Sequence, residues 1–124
     1  MLGFIVLATD LVMENNIIRL TPEGVGLSFS RIPCKTDVNN TFLRQQLAML
    51  PSAAAMIQPD KPPDLVCYAC TSGSILNGEQ NCMDAIKVGA PHSKSMTLVT
   101  GVVDAMKTLG ALNIVVGTPY LDEV

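Results

Sequence analysis

The sequence predicts a single α/β domain, an open parallel sheet of about four strands with helices on both faces. Short apolar runs typical of buried strands alternate with stretches of helical periodicity, which is the pattern of a parallel sheet. The 124 residues are one domain's length, with no internal repeat or long linker. Apolar residues make up 48% and charged residues 15%, which suits a buried core. We therefore treat residues 1–124 as one domain.

The first half of the chain predicts two strands and two helices. Residues 3–8 are apolar throughout, like a strand buried on both faces, and residues 25–32 alternate well enough for a second strand. Asp10 follows the first strand and can cap a helix over about 11–20. A second helix is expected after residues 37–41, with leucines at positions 43, 47 and 50 on one face and a proline at 51 that interrupts it.

The second half continues the alternation. The predicted elements are strand 65–69, helix 77–88, strand 95–98, a helix from about 100 to 110 and strand 112–116. The helix predicted over 77–88 is followed by Gly89 and then Pro91, and a glycine followed by a proline commonly ends a helix. Each predicted strand but the last therefore has a helix after it, as a parallel sheet requires.

The end of strand 65–69 is where chemistry is expected. Cys70 follows that strand directly, and Thr71, Ser72 and Ser74 surround it with short hydroxyl donors. Ligands of open parallel sheets bind at the carboxyl ends of strands, where the next helix presents free backbone N–H groups. A helix start also favours the thiolate form of a cysteine. Cys70 is thus either a reactive group or a small buried residue at a strand end, and the residues alone leave both open.

Other polar side chains should meet Cys70 at the same edge of the sheet. Asp10 follows the first strand, Thr118 and Tyr120 follow the last predicted strand, and Thr100 lies near the short connection before its helix. Together they predict one pocket of hydroxyls, a carboxylate and a thiol. Asp10 is equally well explained as a helix cap, and Tyr120 either packs or donates to a carboxylate oxygen.

The pair Cys67 and Cys70 has the spacing of a redox or metal motif. On an extended strand, however, the two residues point to opposite faces and lie about 10 Å apart, beyond the Cα separation of about 7 Å that a disulfide tolerates. We interpret Cys67, Cys34 and Cys82 as core residues. His92 is the one histidine in the chain and lies in a predicted loop, which argues against a hydrolase triad.

Charge and hydropathy limit the partners and the location. The net charge is −3 and no basic cluster is present, so we expect no nucleic-acid partner. The apolar run over residues 2–8 is too short for a membrane span and lacks the layout of a signal peptide. We therefore expect no membrane partner and a cytoplasmic location, where thiols stay reduced.

Three pieces of the chain resemble the aspartate/glutamate racemase superfamily, in its maleate isomerase and arylmalonate decarboxylase branch. They are residues 6–10 with Glu14, the run Tyr68-Ala-Cys-Thr-Ser-Gly-Ser74, and residues 105–111 leading to Thr118-Pro-Tyr120. Residues 4–10 and 23–27 are most similar to the ectoine-utilisation protein A group within it. The resemblance implies a flavodoxin-like half of a racemase-type fold.

The resemblance also implies cofactor-independent, metal-free chemistry on a small carboxylic acid. Cys70 would be a base, as in racemases, or a nucleophile that adds to an unsaturated diacid, as in maleate isomerase. Thr71, Ser72 and Tyr120 would hold the substrate carboxylate or its enediolate. Asp10 falls where maleate isomerases carry an asparagine that contacts substrate, and an ionised aspartate there would repel a dicarboxylate.

Two features of the family leave alternatives open. Arylmalonate decarboxylases usually have glycine at the Cys70 position, so Cys70 favours racemase or isomerase chemistry over decarboxylation. Family members also have two similar halves, the second of which supplies another cysteine, whereas this chain resembles the N-terminal half only. A second half or a second copy of the chain is therefore an expected partner. The alternative is a non-catalytic half that binds a carboxylate or another protein.

Overall fold

The computed structural model describes residues 1–34 and 39–118. Its strands are β1 (Leu2–Leu7), β2 (Leu27–Ile32), β3 (Leu65–Tyr68) and β4 (Lys94–Thr97). Its helices are α1 (Met13–Leu20), α2 (Asn40–Gln45), α3 (Leu50–Ala55), α4 (Thr71–Asn77), α5 (Glu79–Gly89) and α6 (Leu98–Thr108), and a 3-10 helix covers Gln46–Met49. Within these described ranges, no helix is long and apolar enough to cross a membrane.

The described strands form a four-stranded parallel sheet in the order β2-β1-β3-β4. Leu2 of β1 is in register with Leu27 of β2 on one side and Leu65 of β3 on the other. The chain passes from β1 to β2 on one side of β1, and then returns to form β3 on its other side. The direction in which strands are added to the sheet therefore reverses between β1 and β3. Ligands of open α/β sheets bind at such a reversal, at the carboxyl ends of the strands. The observed sheet confirms the predicted fold class.

The core lies on one face of the sheet, beneath α2, α3 and α5. Ile5, Val66 and Tyr68 from the two central strands pack there against Leu50 and Ile86 from the helices. Helices α3 and α5 approach closely because residue 89 is glycine. A Cβ on Gly89 would lie 1.9 Å from the carbonyl oxygen of Pro51. This face holds most of the buried apolar side chains and fixes the position of β3.

The opposite face of the sheet is covered by α6 and only in part. Phe4 and Cys67 from the sheet and Leu98 and Val102 from α6 line an apolar cavity of about 480 Å³. Helix α6 has no buried residue, although it lies next to β4. Helices therefore lie on both faces, as predicted, but one face is much more closely packed.

The helix predicted over 77–88 is two helices, and the first begins six residues earlier. The chain turns directly from β3 into α4 at Thr71, where the Ser74 hydroxyl donates to the carbonyl oxygen of Cys70 at 2.5 Å. Gly78 has a φ of 82°, a conformation that separates α4 from α5 and that few other residues adopt. The hydroxyl-rich turn predicted after Cys70 is therefore the first turn of a helix.

The prediction of a strand over residues 112–116 is wrong. Residues 111–118 form no regular secondary structure, and Leu112 and Val115 are 92% and 100% exposed. The run has the apolar, β-branched composition of a strand, but in the described part of the chain no strand pairs with it. A β-favouring sequence forms a strand only where a neighbouring strand takes its hydrogen bonds.

Candidate functional site

Cys70 lies at the carboxyl end of β3, beside the reversal of strand order. It is the N-cap residue of α4, with extended backbone angles (φ −137°, ψ 114°), and its Sγ accepts the backbone N–H of Gly73 at 3.4 Å. The Ser72 hydroxyl lies 3.8 Å from the same sulfur. The side chain is buried, with 6% of its surface exposed. The structure therefore brings Cys70 and Ser72 together where a ligand of this fold class would bind.

Two polar side chains lie beneath the thiol. The Tyr68 phenol donates to Gln46 Oε1 at 2.5 Å, and the Cys70 thiol faces the same oxygen at 3.9 Å. Tyr68 and Gln46 are both fully buried. Gly73 leaves the room for this cluster, since a Cβ there would lie 2.3 Å from Tyr68 Oη and 3.1 Å from the Cys70 sulfur. We call Gln46, Tyr68 and Cys70 the thiol cluster.

The amide nitrogen of Gln46 has no hydrogen-bond partner among the described residues, although the side chain is fully buried. An unpaired buried donor costs about 1–3 kcal/mol. Such a group usually has a role that offsets its cost. The thiol cluster therefore contains a donor that its observed hydrogen bonds do not use.

Burial raises the pKa values of two other thiols, Cys67 and Cys82, and of the Tyr68 phenol. Desolvation raises the pKa of Cys67 to about 12. Desolvation, with smaller contributions from Cys70 and Glu79, raises the pKa of Cys82 to about 11. The pKa of Tyr68 is also raised, mainly by burial and next by the neighbouring Cys70. At neutral pH these two thiols stay protonated and the phenol stays a neutral donor.

Sequence reasoning missed Gln46 as a site residue. Its signal was present, because Gln46 lies three residues after Leu43 and four before Leu50, on the apolar face of the predicted helix. A polar residue on such a face is unusual and normally has a buried partner. Tyr68 lies on the strand before Cys70, and a strand pattern alone does not show which face of the sheet carries its hydroxyl.

Thr71 and Thr118 meet at a second cavity, between α4 and α6. This cavity has a volume of about 340 Å³, and its wall is otherwise apolar, with Ile75, Val99 and Met106 contributing to it. Cys70, Asp10 and Thr100 are not among the residues that line this cavity, so it is not the predicted pocket of a thiol, a carboxylate and hydroxyls. Tyr120, the predicted carboxylate donor, lies outside the described residues.

Asp10 caps the start of α1. Its carboxylate accepts the backbone N–H groups of Val12 and Met13 at 2.9 and 2.8 Å. This geometry matches the helix-cap interpretation of Asp10. The residue directly before α1 is Val12, whose side chain forms no cap, so Asp10 holds the turn that leads into the helix.

Arg31 holds the same loop in place and was not singled out from the sequence. Its Nη1 donates to the carbonyl oxygens of Leu7, Ala8 and Asp10, and its guanidinium forms an ion pair of 2.9 Å with Glu14. The positive charge of Arg31 is thus bound mainly by groups of the protein itself.

Thr100 contacts other residues than the thiol cluster. Its hydroxyl donates to the carboxylate of Glu79 and lies 2.8 Å from the hydroxyl of Thr97, which caps α6. These contacts tie the start of α6 to the start of α5. The structure does not bring Thr100 into hydrogen-bond contact with Cys70 within the described part of the chain.

Clusters of metal-ligating side chains are absent from the part of the chain that the structure describes. Among residues 1–34 and 39–118, no group of three or more histidine, cysteine, aspartate and glutamate side chains is placed to hold a metal ion. Cys67 and Cys70, the candidate redox pair, are not disulfide-bonded. Cys67 lines the cavity beneath α6, whereas Cys70 belongs to the core cluster on the other face, as the strand geometry predicts.

Comparison with known proteins gives a structural match. No family model and no curated sequence matches the chain. Among solved structures, the chain is similar to the maleate isomerase Iso from Pseudomonas putida S16, with a TM-score of 0.76 and 20% sequence identity. The two chains share a fold. The alignment covers 98% of this chain and 54% of the isomerase, so this chain spans about half of that protein's length.

Proposed function

We propose that this chain is one half of a cofactor-independent isomerase or racemase that acts on a small carboxylic acid. Cys70 is the reactive group, as a thiolate base or nucleophile. Thr71, Ser72 and Tyr120 hold the substrate carboxylate. We also propose a cytoplasmic location, since a reducing compartment keeps a reactive thiol available.

The observation that carries this proposal is the position of Cys70. The thiol lies at the carboxyl end of a central strand, beside the strand reversal, with the Ser72 hydroxyl 3.8 Å from its sulfur. The chain also shares the fold of about half of a maleate isomerase. Ligand sites of open sheets concentrate at this position. A thiol in the same place is therefore a good candidate for the reacting group.

The chemistry needs what this edge of the sheet offers. Removing a proton next to a carboxylate creates an enediolate, which needs hydrogen-bond donors that are already in place. A thiolate is a suitable base or a soft nucleophile for addition to an unsaturated acid. The cavity of about 340 Å³ is lined by Thr71, the residue next to Cys70 in the chain, although Cys70 does not line it, and it has room for the carbon skeleton of a small acid.

Asp10 and Thr100 do not bind the substrate directly in this proposal. Both were predicted to bind substrate, and both already have partners within the protein, Asp10 with two backbone N–H groups and Thr100 with Glu79. We propose that they support the rim of the site. The second carboxylate of a diacid would then be bound elsewhere.

A partner completes the site in this proposal. The chain aligns with about half of the maleate isomerase. Apolar side chains are exposed on and after α6, among them Leu109 at 82% and Leu112 at 92%. Such surface commonly marks a protein interface. We propose that a second half or a second copy of the chain covers it and supplies the second catalytic group.

A second candidate function is a non-catalytic half-domain that binds a carboxylate or a partner protein. The observation that favours it is the burial of Cys70, whose side chain is only 6% exposed and whose sulfur already has Gly73 and Gln46 as neighbours. In that case the thiol is structural.

Proton NMR in D₂O separates the candidates. The protein is incubated in turn with maleate, aspartate and a substituted malonate. An isomerase forms fumarate, a racemase exchanges the α-proton for deuterium, and a decarboxylase shortens the malonate. The proposal expects one of the first two signals, lost in Cys70→Ser. No turnover of any acid, at protein concentrations that favour self-association, would support the non-catalytic half-domain.

A further inference from the structure

We propose that Gln46 and Tyr68 are positioning residues for the Cys70 thiol, which they stabilise as a thiolate by turning donors towards the sulfur. The inference rests on the proposed function, because this thiol is the group proposed to react. It adds two residues from outside the motif around Cys70 and gives each a role that can be measured.

The contact between Cys70 and Gln46 suits the protonated state of the thiol. Gln46 Oε1 accepts from the Tyr68 phenol at 2.5 Å and faces the Cys70 thiol at 3.9 Å. An oxygen acceptor suits a thiol, which carries a proton, and opposes a thiolate, which does not. When the proton leaves for solvent, this contact becomes repulsive and the cluster must rearrange.

The unused donor of the cluster fits the second state. Gln46 Nε2 carries two hydrogens and has no partner among the described residues. A half-turn of the amide exchanges its oxygen and nitrogen, so Nε2 would then donate towards the sulfur. The Tyr68 phenol, released from Oε1, would donate to the sulfur as well. Hydrogen bonds to a charged acceptor are about twice as strong as neutral ones. No covalent bond changes except the S–H bond.

The surroundings keep the two donors available. Burial raises the pKa of Tyr68, so the phenol keeps its hydrogen throughout the neutral range. The other titratable groups that influence this cluster are Cys34 and Cys82, and Glu79 acts on Cys82. Gly73 leaves the space in which the amide turns, since a side chain there would meet Gln46 Oε1 at 2.9 Å.

The test is the rate at which iodoacetamide alkylates Cys70, measured by peptide mass at pH 7 and at pH 10. In this reaction the sulfur–carbon bond forms as iodide leaves, and the thiolate is the nucleophile. We expect Gln46→Met, which keeps the length of the side chain but has no amide, to lower the rate at pH 7 about fivefold to tenfold. At pH 10 we expect a smaller loss, because alkaline solution favours the thiolate without help from these donors.

Tyr68→Phe is the second variant, since it removes a single oxygen and keeps the ring in the core. We expect its alkylation rate to change in the same way as that of Gln46→Met, with a smaller loss of rate at pH 7. Alkylation of the buried Cys67 reports unfolding in every sample. The proposal would be overturned by a folded variant that is alkylated as fast as the wild type at pH 7. It would also be overturned by a folded variant whose rate falls by the same factor at pH 7 and at pH 10. No carboxylic acid is present, so either outcome is distinct from a failure of acid turnover.

Discussion

The hydroxyl of Ser74 donates to the carbonyl oxygen of Cys70 at 2.5 Å, inside the first turn of α4. Ser74 is fully buried. Ser72, two residues earlier, turns its hydroxyl to within 3.8 Å of the Cys70 sulfur instead. The two serines therefore have different tasks, one in holding the turn and one at the proposed reacting atom. They form a matched pair for mutation.

We expect Ser74→Ala to weaken folding. The substitution removes a buried hydrogen bond worth about 1 kcal/mol and leaves the Cys70 carbonyl with the backbone N–H of residue 74 alone. The free energy of unfolding in urea should fall by roughly that amount, and the melting temperature by a few degrees. An unchanged urea midpoint would show that the bond contributes nothing to the turn.

We expect Ser72→Ala to weaken binding of a carboxylic acid without weakening the fold. Loss of one hydrogen bond to a charged oxygen costs about 1.5–3 kcal/mol, which lowers affinity roughly tenfold to a hundredfold. Titration calorimetry with the acid that the wild type binds measures this loss, and a urea curve that overlays the wild type is the control. Equal affinities for the two proteins would remove Ser72 from the site.

Gly89→Ala should be strongly destabilising. The added Cβ would lie 1.9 Å from the Pro51 carbonyl oxygen and 3.0 Å from the Ala55 nitrogen, and backbone atoms cannot give way as side chains do. Overpacking typically costs about 1–3 kcal/mol, and a contact this short with rigid backbone belongs at the upper end of that range. Val88→Ala, next to it and 75% exposed, is the control and should change stability by less than about 0.5 kcal/mol. Similar urea midpoints for the two variants would contradict the observed packing of α3 on α5.

Stability should fall at alkaline pH through Cys67. Its pKa is raised from 9.0 to about 12 by desolvation, so the unfolded chain releases this proton at a lower pH than the folded protein. The stabilisation is fully present below about pH 9 and is lost as the pH rises towards 12, with a slope of up to about 1.4 kcal/mol per pH unit. Urea unfolding at several pH values measures it. Cys67→Ala should lose this part of the slope, and an identical slope in both proteins would contradict the assignment.

Much of the fold could be predicted from local patterns, that is, from residues close together in the sequence. The strands at 3–8, 25–32, 65–69 and 95–98 agree with β1 to β4 to within about two residues. The two central strands are short apolar runs, whereas β2 alternates and β4 is mostly polar. The run at 112–116 has the apolar composition of the central strands and forms no strand. What decides between them is a pairing partner elsewhere in the chain, which no local pattern contains.

The candidate site was predictable only in part, for a similar reason. The position of Cys70 and its proximity to Ser72 follow from strand-then-turn order, and Thr71 and Thr118 do line one cavity. Gln46 reaches the thiol from a helical segment 24 residues away in the chain, so its role depends on packing. The catalytic role of Cys70 and the carboxylate-binding roles remain predictions.

The most direct test of the central claim is protection of Cys70 from alkylation by a small acid. Cys70 is alkylated with iodoacetamide at pH 7 and followed by peptide mass, alone and with maleate, aspartate or malonate. The corresponding uncharged diamides serve as controls. We predict that one acid slows the reaction at least fivefold and that its diamide does not. A Cys70 that reacts at the same rate with and without every acid, or that does not react in the folded protein, would contradict a carboxylate site built around this thiol.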